Sequence, residues 1–212
     1  MRVGLASLVA LVLAVTACGP TRARGSFRQI PAAATDAAAA PVELPAPPPP
    51  RTFTVVGSGD VLLHDMLWTQ ASRDAVALGR TGMDFAPIFA SVKPVVSAAD
   101  VALCHLETPL ASPEGPFRTY PMFNVPPQVT TALADLGYDS CSTASNHSLD
   151  YGMPGVVRTL DALDAVGIRH AGTARSQAES ISPTLLDANG VVVAHLSYSW
   201  SFNGLSRPAG KP

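Results

Sequence analysis

Apolar and polar positions alternate in two rhythms after residue 51, and these divide the chain into short β-type runs and longer helical ones. Phe53 to Asp60 reads as a first strand that ends in Gly57-Ser58-Gly59-Asp60, where the glycines permit a sharp turn or a close backbone approach. Asp65 to Leu78 follows as a helix. Phe85 to Ser97 is a second, with Pro87 suited to a first turn and Pro94 ill suited to its later half. Asp100 to Glu107 is a second strand with an acid at its exit. Thr108 to Pro127 is a long proline-rich loop, of the kind that borders a binding site. Gln128 to Leu136 sets Val129, Leu133 and Leu136 on one helical face, with Gly137 placed to end it. Asp139 to Ala144 is a third strand. Val156, Val157, Leu160, Leu163 and Val166 then form the stripe of a helix that opens near Pro154 and closes at Gly167. Ile168 to Ala171 is a short fourth strand. Pro183 to Asp187 and Val191 to Trp200 flank Asn189-Gly190, a hairpin signal because both turn positions tolerate positive φ. Strands alternating with helices predict an α/β fold with a mainly parallel, helix-covered sheet.

The first 51 residues follow neither rhythm. Arg2 and the apolar run Leu5 to Val15 read as an export signal, too short to be favoured as a membrane span. Val15-Thr16-Ala17-Cys18 resembles a bacterial lipobox, with Cys18 the lipidated residue, and this reading stands ahead of an ordinary cleaved signal with an incidental cysteine. Residues 19–51 are rich in alanine and proline, which favours an extended tether over a peptide ligand. The expected location is the bacterial cell envelope, with the chain lipid-anchored on the outer face of the cytoplasmic membrane. The division is residues 1–18 signal, 19–51 tether and 52–212 folded domain.

Charge changes the picture by exclusion. The 212 residues hold 14 Lys and Arg against 16 Asp and Glu, so the chain lacks the basic face that nucleic-acid binders carry. Two cysteines, Cys104 and Cys141, fall in the folded part. Export allows a disulfide, whereas their apolar surroundings allow two buried free thiols, and the sequence leaves both open.

Chemistry concentrates where strands end. Asp60, Glu107 and Asn146-His147 each follow a different predicted strand, and the carboxyl ends of strands in open α/β sheets line the ligand crevice. Acid, acid and amide-plus-imidazole suit a borderline divalent cation such as Mn, Zn or Fe. A helix cap for Asp60, a solvated loop acid for Glu107 and turn chemistry for Asn146 are the bland alternatives. Asp150 reads as a structural acid at the loop-to-helix junction, and His195 as a packed residue.

Order and wording carry more than any single motif. Gly59-Asp60-Val61-Leu62-Leu63-His64, Ala99-Asp100 through Leu106-Glu107-Thr108-Pro109-Leu110, and Ser145-Asn146-His147-Ser148-Leu149-Asp150-Tyr151-Gly152 resemble the CapA family of poly-γ-glutamate capsule biosynthesis proteins, relatives of the calcineurin-like metallophosphoesterases. The resemblance runs from about Thr52 to Gly204. It implies a metallophosphatase-like α/β/β/α sandwich, incomplete at its C-terminal side because the family's later histidine-bearing strand ends fall beyond residue 212. It also implies Asp60, Glu107 and Asn146 as ligands of divalent metal ions, with His147 as the catalytic histidine. His105, His64 and His170 are further candidates for ligation or for lining the site. Leu62 stands where the superfamily has a histidine, and His105 where the family has an asparagine. The implied partners are an anionic envelope or capsule polymer, the membrane through the lipid anchor, and capsule-export proteins. The implied function is capsule-polymer hydrolysis or transfer, with non-catalytic polymer binding or export as the alternative.

Overall fold

The computed structural model describes residues 49–211. The expected signal peptide, the lipidation of Cys18 and the tether up to residue 48 lie outside the described residues.

Four parallel strands form the central sheet in the order β1-β2-β3-β4: β1 is Val55–Val61, β2 Val101–Leu106, β3 Ser140–Ser142 and β4 Arg169–Ala171. The connections run through α1 (Asp65–Ala77), α2 (Ala86–Phe89) and α3 (Lys93–Val96), then α4 (Val129–Leu136), then α5 (Gly152–Ala165). A one-turn helix, α6 (Gln177–Ser180), precedes an antiparallel hairpin of β5 (Thr184–Ala188) and β6 (Val191–His195). The expected mixed α/β architecture with a parallel sheet is therefore present, and it is consistent with a metallophosphatase-like fold.

The period of two along β2 sorts its side chains between two layers. Ala102, Cys104 and Leu106 face a large core with Val61, Leu63, Phe85, Val129, Leu133, Leu136 and Leu163, contributed by β1 and the helices. Val101 and Leu103 face the opposite way, against Leu186, Ala188 and Val193 of the hairpin. Helices thus cover one face and the hairpin covers the other. Asp100 secures the hairpin's turn: its carboxylate accepts from the Thr54 amide at 2.7 Å and from Asn189 Nδ2 at 2.7 Å.

Most expected elements form, with two departures. The single helix expected over Phe85 to Ser97 is two one-turn helices. Pro94 has no N–H to continue the ladder, so the chain restarts with Pro94 in the first turn of α3. The last strand ends at His195 rather than Trp200. His195 pairs with Thr184, the first residue of β5, so β6 has no strand partner beyond it. Asn189 and Gly190 take φ of 54° and 75°, as the hairpin turn requires.

Cys104 and Cys141 are register partners on β2 and β3, with Cα atoms 4.4 Å apart, and they form a disulfide. The alternative left open by the sequence is resolved in favour of the bond. Both residues are buried, so this bond crosses the sheet one residue before His105.

Candidate functional site

Parallel neighbours bring the carboxyl ends of β1, β2 and β3 side by side. Register places Asp60 opposite His105, and His105 Nε2 lies 3.9 Å from Asp60 Oδ1. A bulge between Gly57 and Asp60 shifts that register and turns the acid at the strand's end. The other ring nitrogen of His105 is 2.7 Å from Ser142 Oγ on β3. His105 therefore links all three strands.

Glu107 follows β2 directly. Burial pushes its carboxyl above the usual range, the Asp60 carboxylate raises it further, and His147 and His105 partly offset this. The partly buried Glu107 carboxylate thus faces the more exposed one of Asp60. Glu107 Oε2 is buried without a hydrogen-bond partner in the protein.

His147 sits in a turn that closes on itself. Ser148 Oγ accepts the Ser145 amide at 2.7 Å, and Ser145 Oγ accepts the His147 amide at 3.0 Å. His147 Nδ1 lies 2.7 Å from Asp150 Oδ2, whose carboxylate is fully buried and also accepts the Phe123 amide at 2.8 Å. An oxygen already accepting one N–H accepts a second, so Nδ1 carries the proton and Nε2 keeps its lone pair. The Phe123 ring stands edge-on to His147 at 4.8 Å and to His64 at 5.3 Å. His64 is held in turn by Thr119 Oγ1 at 2.8 Å.

Thr119 and Phe123 belong to the long loop after Glu107, which borders this site as expected. The loop is ordered by its own pairing. Ala111 donates to the Val125 carbonyl at 2.8 Å, Arg118 and Asn124 pair across a bridge, and Arg158 of α5 donates to the Leu110 carbonyl at 3.1 Å.

Asn146 stands beside His147, and its Nδ2 donates to Asn203 Oδ1 at 3.1 Å. His170 is placed elsewhere. Its Nε2 contacts Asp164 at 3.2 Å and Glu179 at 4.0 Å, and it lines a separate cavity of about 320 Å³ with Thr184 and His195. Asp60, His105 and Glu107 thus gather in one place with His147 close by. His64 adjoins His147 across Phe123, and His170 does not join them. His195 is buried against Ser140 Oγ at 2.8 Å, and burial holds its pKa below the usual histidine range.

Two contributors escaped sequence reasoning. Asp150 was assigned only a junction role, although a carboxylate three residues after a histidine in a turn can reach its Nδ1. Asn203 lies 57 residues from Asn146; Asn203-Gly204 agrees with the family wording, yet nothing in it assigned the residue a place in the site.

Whether these residues fit a cation can be judged from their chemistry. Asp60, Glu107 and the Asn146 oxygen offer hard donors and His105 a borderline one. The opposed carboxylates and the unpartnered Glu107 oxygen are a geometry that a positive ion relieves. In their present positions no three His, Cys, Asp or Glu side chains among the described residues form a ready cage. The donors fit a cation in type.

The profile of the family described as bacterial capsule synthesis protein PGA_cap matches residues 54–211. Two relatives from Sinorhizobium fredii (strain NBRC 101917 / NGR234), the uncharacterized proteins y4uA and y4sH, are 32% and 31% identical over 169 residues. Those alignments cover 75% of this chain and 33% of each relative, so the chain spans about a third of the length of the curated relatives it matches.

Proposed function

Because the chain belongs to the bacterial capsule synthesis protein family, we propose that its folded part, residues 52–212, is a metal-dependent domain that hydrolyses or transfers a bond in an anionic capsule or envelope polymer. The observation that carries this reading is the convergence of Asp60, His105 and Glu107, close to His147, at the ends of adjacent parallel strands.

Asp60, Glu107 and Asn146 would hold the divalent ion (Mn, Zn or Fe), with His105 as a fourth candidate donor. Such an ion supplies Lewis acidity and a lowered pKa for bound water. The chain's own residues do the rest. Asp150 holds the proton on His147 Nδ1, so Nε2 is the atom that takes or returns a proton at the reacting group. Phe123 fixes the ring plane from one side. The ordered loop from Thr108 to Pro127 screens that edge from water.

The expected setting is the outer face of the cytoplasmic membrane, with Cys18 lipidated, residues 19–51 as spacer and capsule-export proteins as neighbours. The Cys104–Cys141 disulfide supports it, since such bonds persist in oxidising compartments.

The test is metal content and turnover together. Asp60→Ala and Asn146→Ala are expected to lose bound Mn, and His147→Ala to keep Mn while losing hydrolysis of poly-γ-glutamate or of a generic phosphodiester. Unchanged metal content in both ligand variants removes the proposal. The incomplete cage favours a second reading, in which the site grips polymer without turnover. Polymer binding with no product formed at saturating Mn would establish that one.

A further inference from the structure

Asn203 is one of two non-glycine residues with positive φ among the described residues, at 52°; the other, Asn189, is accounted for by the hairpin turn. No hairpin explains Asn203. It lies in a turn closed by the Leu205 amide on the Phe202 carbonyl at 2.9 Å, followed by Gly204 at φ 81°. Phe202 packs that turn against Leu149, Met153, Val156 and Leu160, the cluster beneath the Asn146-His147 turn and the start of α5. The left-handed backbone and the partly buried Phe202 together direct the Asn203 amide toward Asn146 and His147. A left-handed asparagine costs little, yet its use at a site-facing turn marks a required direction.

Two contacts compete for that amide. Asn203 Nδ2 is 3.4 Å from His147 Nδ1, and Asn203 Oδ1 is 3.1 Å from Asn146 Nδ2. The first is no true bond, because Nδ1 donates its proton to Asp150 at 2.7 Å and has no lone pair to offer. The second is the working one, and it places Asn146 Nδ2 toward Asn203. With Nδ2 committed to Asn203, Asn146 presents its Oδ1, which receives only the weak Ser145 hydroxyl bond at 3.1 Å. A flipped Asn146 would offer two N–H groups to a cation and repel it.

We propose that Asn203 is a positioning residue for the metal site: it holds Asn146 with its carbonyl oxygen, rather than its amide nitrogen, available to the divalent ion. This rests on the metal reading given above, and it adds a segment more than fifty residues downstream to the site.

Two measurements on the full chain test it. In the metal-free protein, the Asn146 side-chain NH2 signals are followed by NMR. Slow exchange and a shifted position are expected in wild type and in Asn203→Asp, which still accepts from Nδ2, and are expected to be lost in Asn203→Ala. Mn titration by calorimetry is then expected to show an approximately 10-fold weaker dissociation constant for Asn203→Ala, the scale of lost outer-shell support. Asn203→Ala added to Asn146→Ala should bring no further loss, since the residue acts through Asn146. Asn203→Ala leaving both the signals and Mn affinity unchanged, with Asn146→Ala still weakening Mn, would overturn this inference while leaving the metal reading intact. Wild type binding no Mn would remove both. Equal thermal midpoints for wild type and Asn203→Ala exclude a merely structural loss; a fall in midpoint with additive loss of Mn affinity in the double variant counts against the proposal.

Discussion

At the residue scale the site is defined by what its carboxylates lack or have. Glu107 faces Asp60 with one oxygen unpartnered, and burial lifts its pKa. A carboxyl with a raised pKa favours folding while neutral, below its unfolded pKa, and loses that contribution as pH rises through its folded value. Glu107→Gln should therefore raise the thermal midpoint of the metal-free protein at pH 7 by ~1–3 °C, while Mn affinity falls. Calorimetry with and without Mn checks both signs. Asp150 is the opposite case, a buried acid with two donors. Asp150→Asn should lower unfolding free energy by ~1–3 kcal/mol in urea, because a buried network loses its charged acceptor. Its Oδ1 atom, buried without a partner, sets that cost against an already imperfect network.

Elements deliver these residues through backbone demands. Gly172, at φ 124°, follows β4, and a Cβ there would sit 2.5 Å from the Ala144 amide nitrogen. Ala144 is two residues before Asn146. Gly172→Ala should cost at least ~2 kcal/mol through backbone strain and displace the Asn146-His147 turn, measured as a urea midpoint and as altered His147 ring NMR shifts. The hairpin carries its own titration. His195 is buried with a lowered pKa, so the unfolded chain binds its proton more readily than the native one. Its share of stability is present above the unfolded value of about 6.5 and is lost as pH falls below it. His195→Gln should flatten the pH dependence of the urea midpoint between roughly pH 5 and 7.

The same elements show why the sequence was readable in parts. Stripes such as Val129, Leu133, Leu136 and signals such as Asn189-Gly190 act within a few residues, so they mark helices and turns directly. The strand-end acids were legible because Asp60 and Glu107 close β-rich runs. Boundaries were half legible: Pro94 marked trouble within its own run, while the early end of β6 depends on where β5 begins across the hairpin. Asn203 and the Phe123 ring reach the site only through tertiary packing, and no local pattern encodes that.

For the molecule as a whole, the disulfide ties β2 to β3 across a sequence separation of 37 residues. Reduction, or Cys104→Ala with Cys141→Ala, should cost about 3 kcal/mol by releasing unfolded-chain freedom, read as the difference in urea midpoints with and without reductant. Among the described residues no helix is long and apolar enough to cross a membrane. Sheet order leaves a different feature at the margin. Among the described residues β1 pairs only with β2, and most of its residues are exposed, with Val55 at 50%. Along its outer side a row of amides and carbonyls has no partner among those residues, as on any unprotected sheet margin. Concentrated preparations of residues 49–211 would accordingly stack edge to edge into oligomers, and a single proline at Val55, whose N–H faces away from β2, should return them to monodispersity.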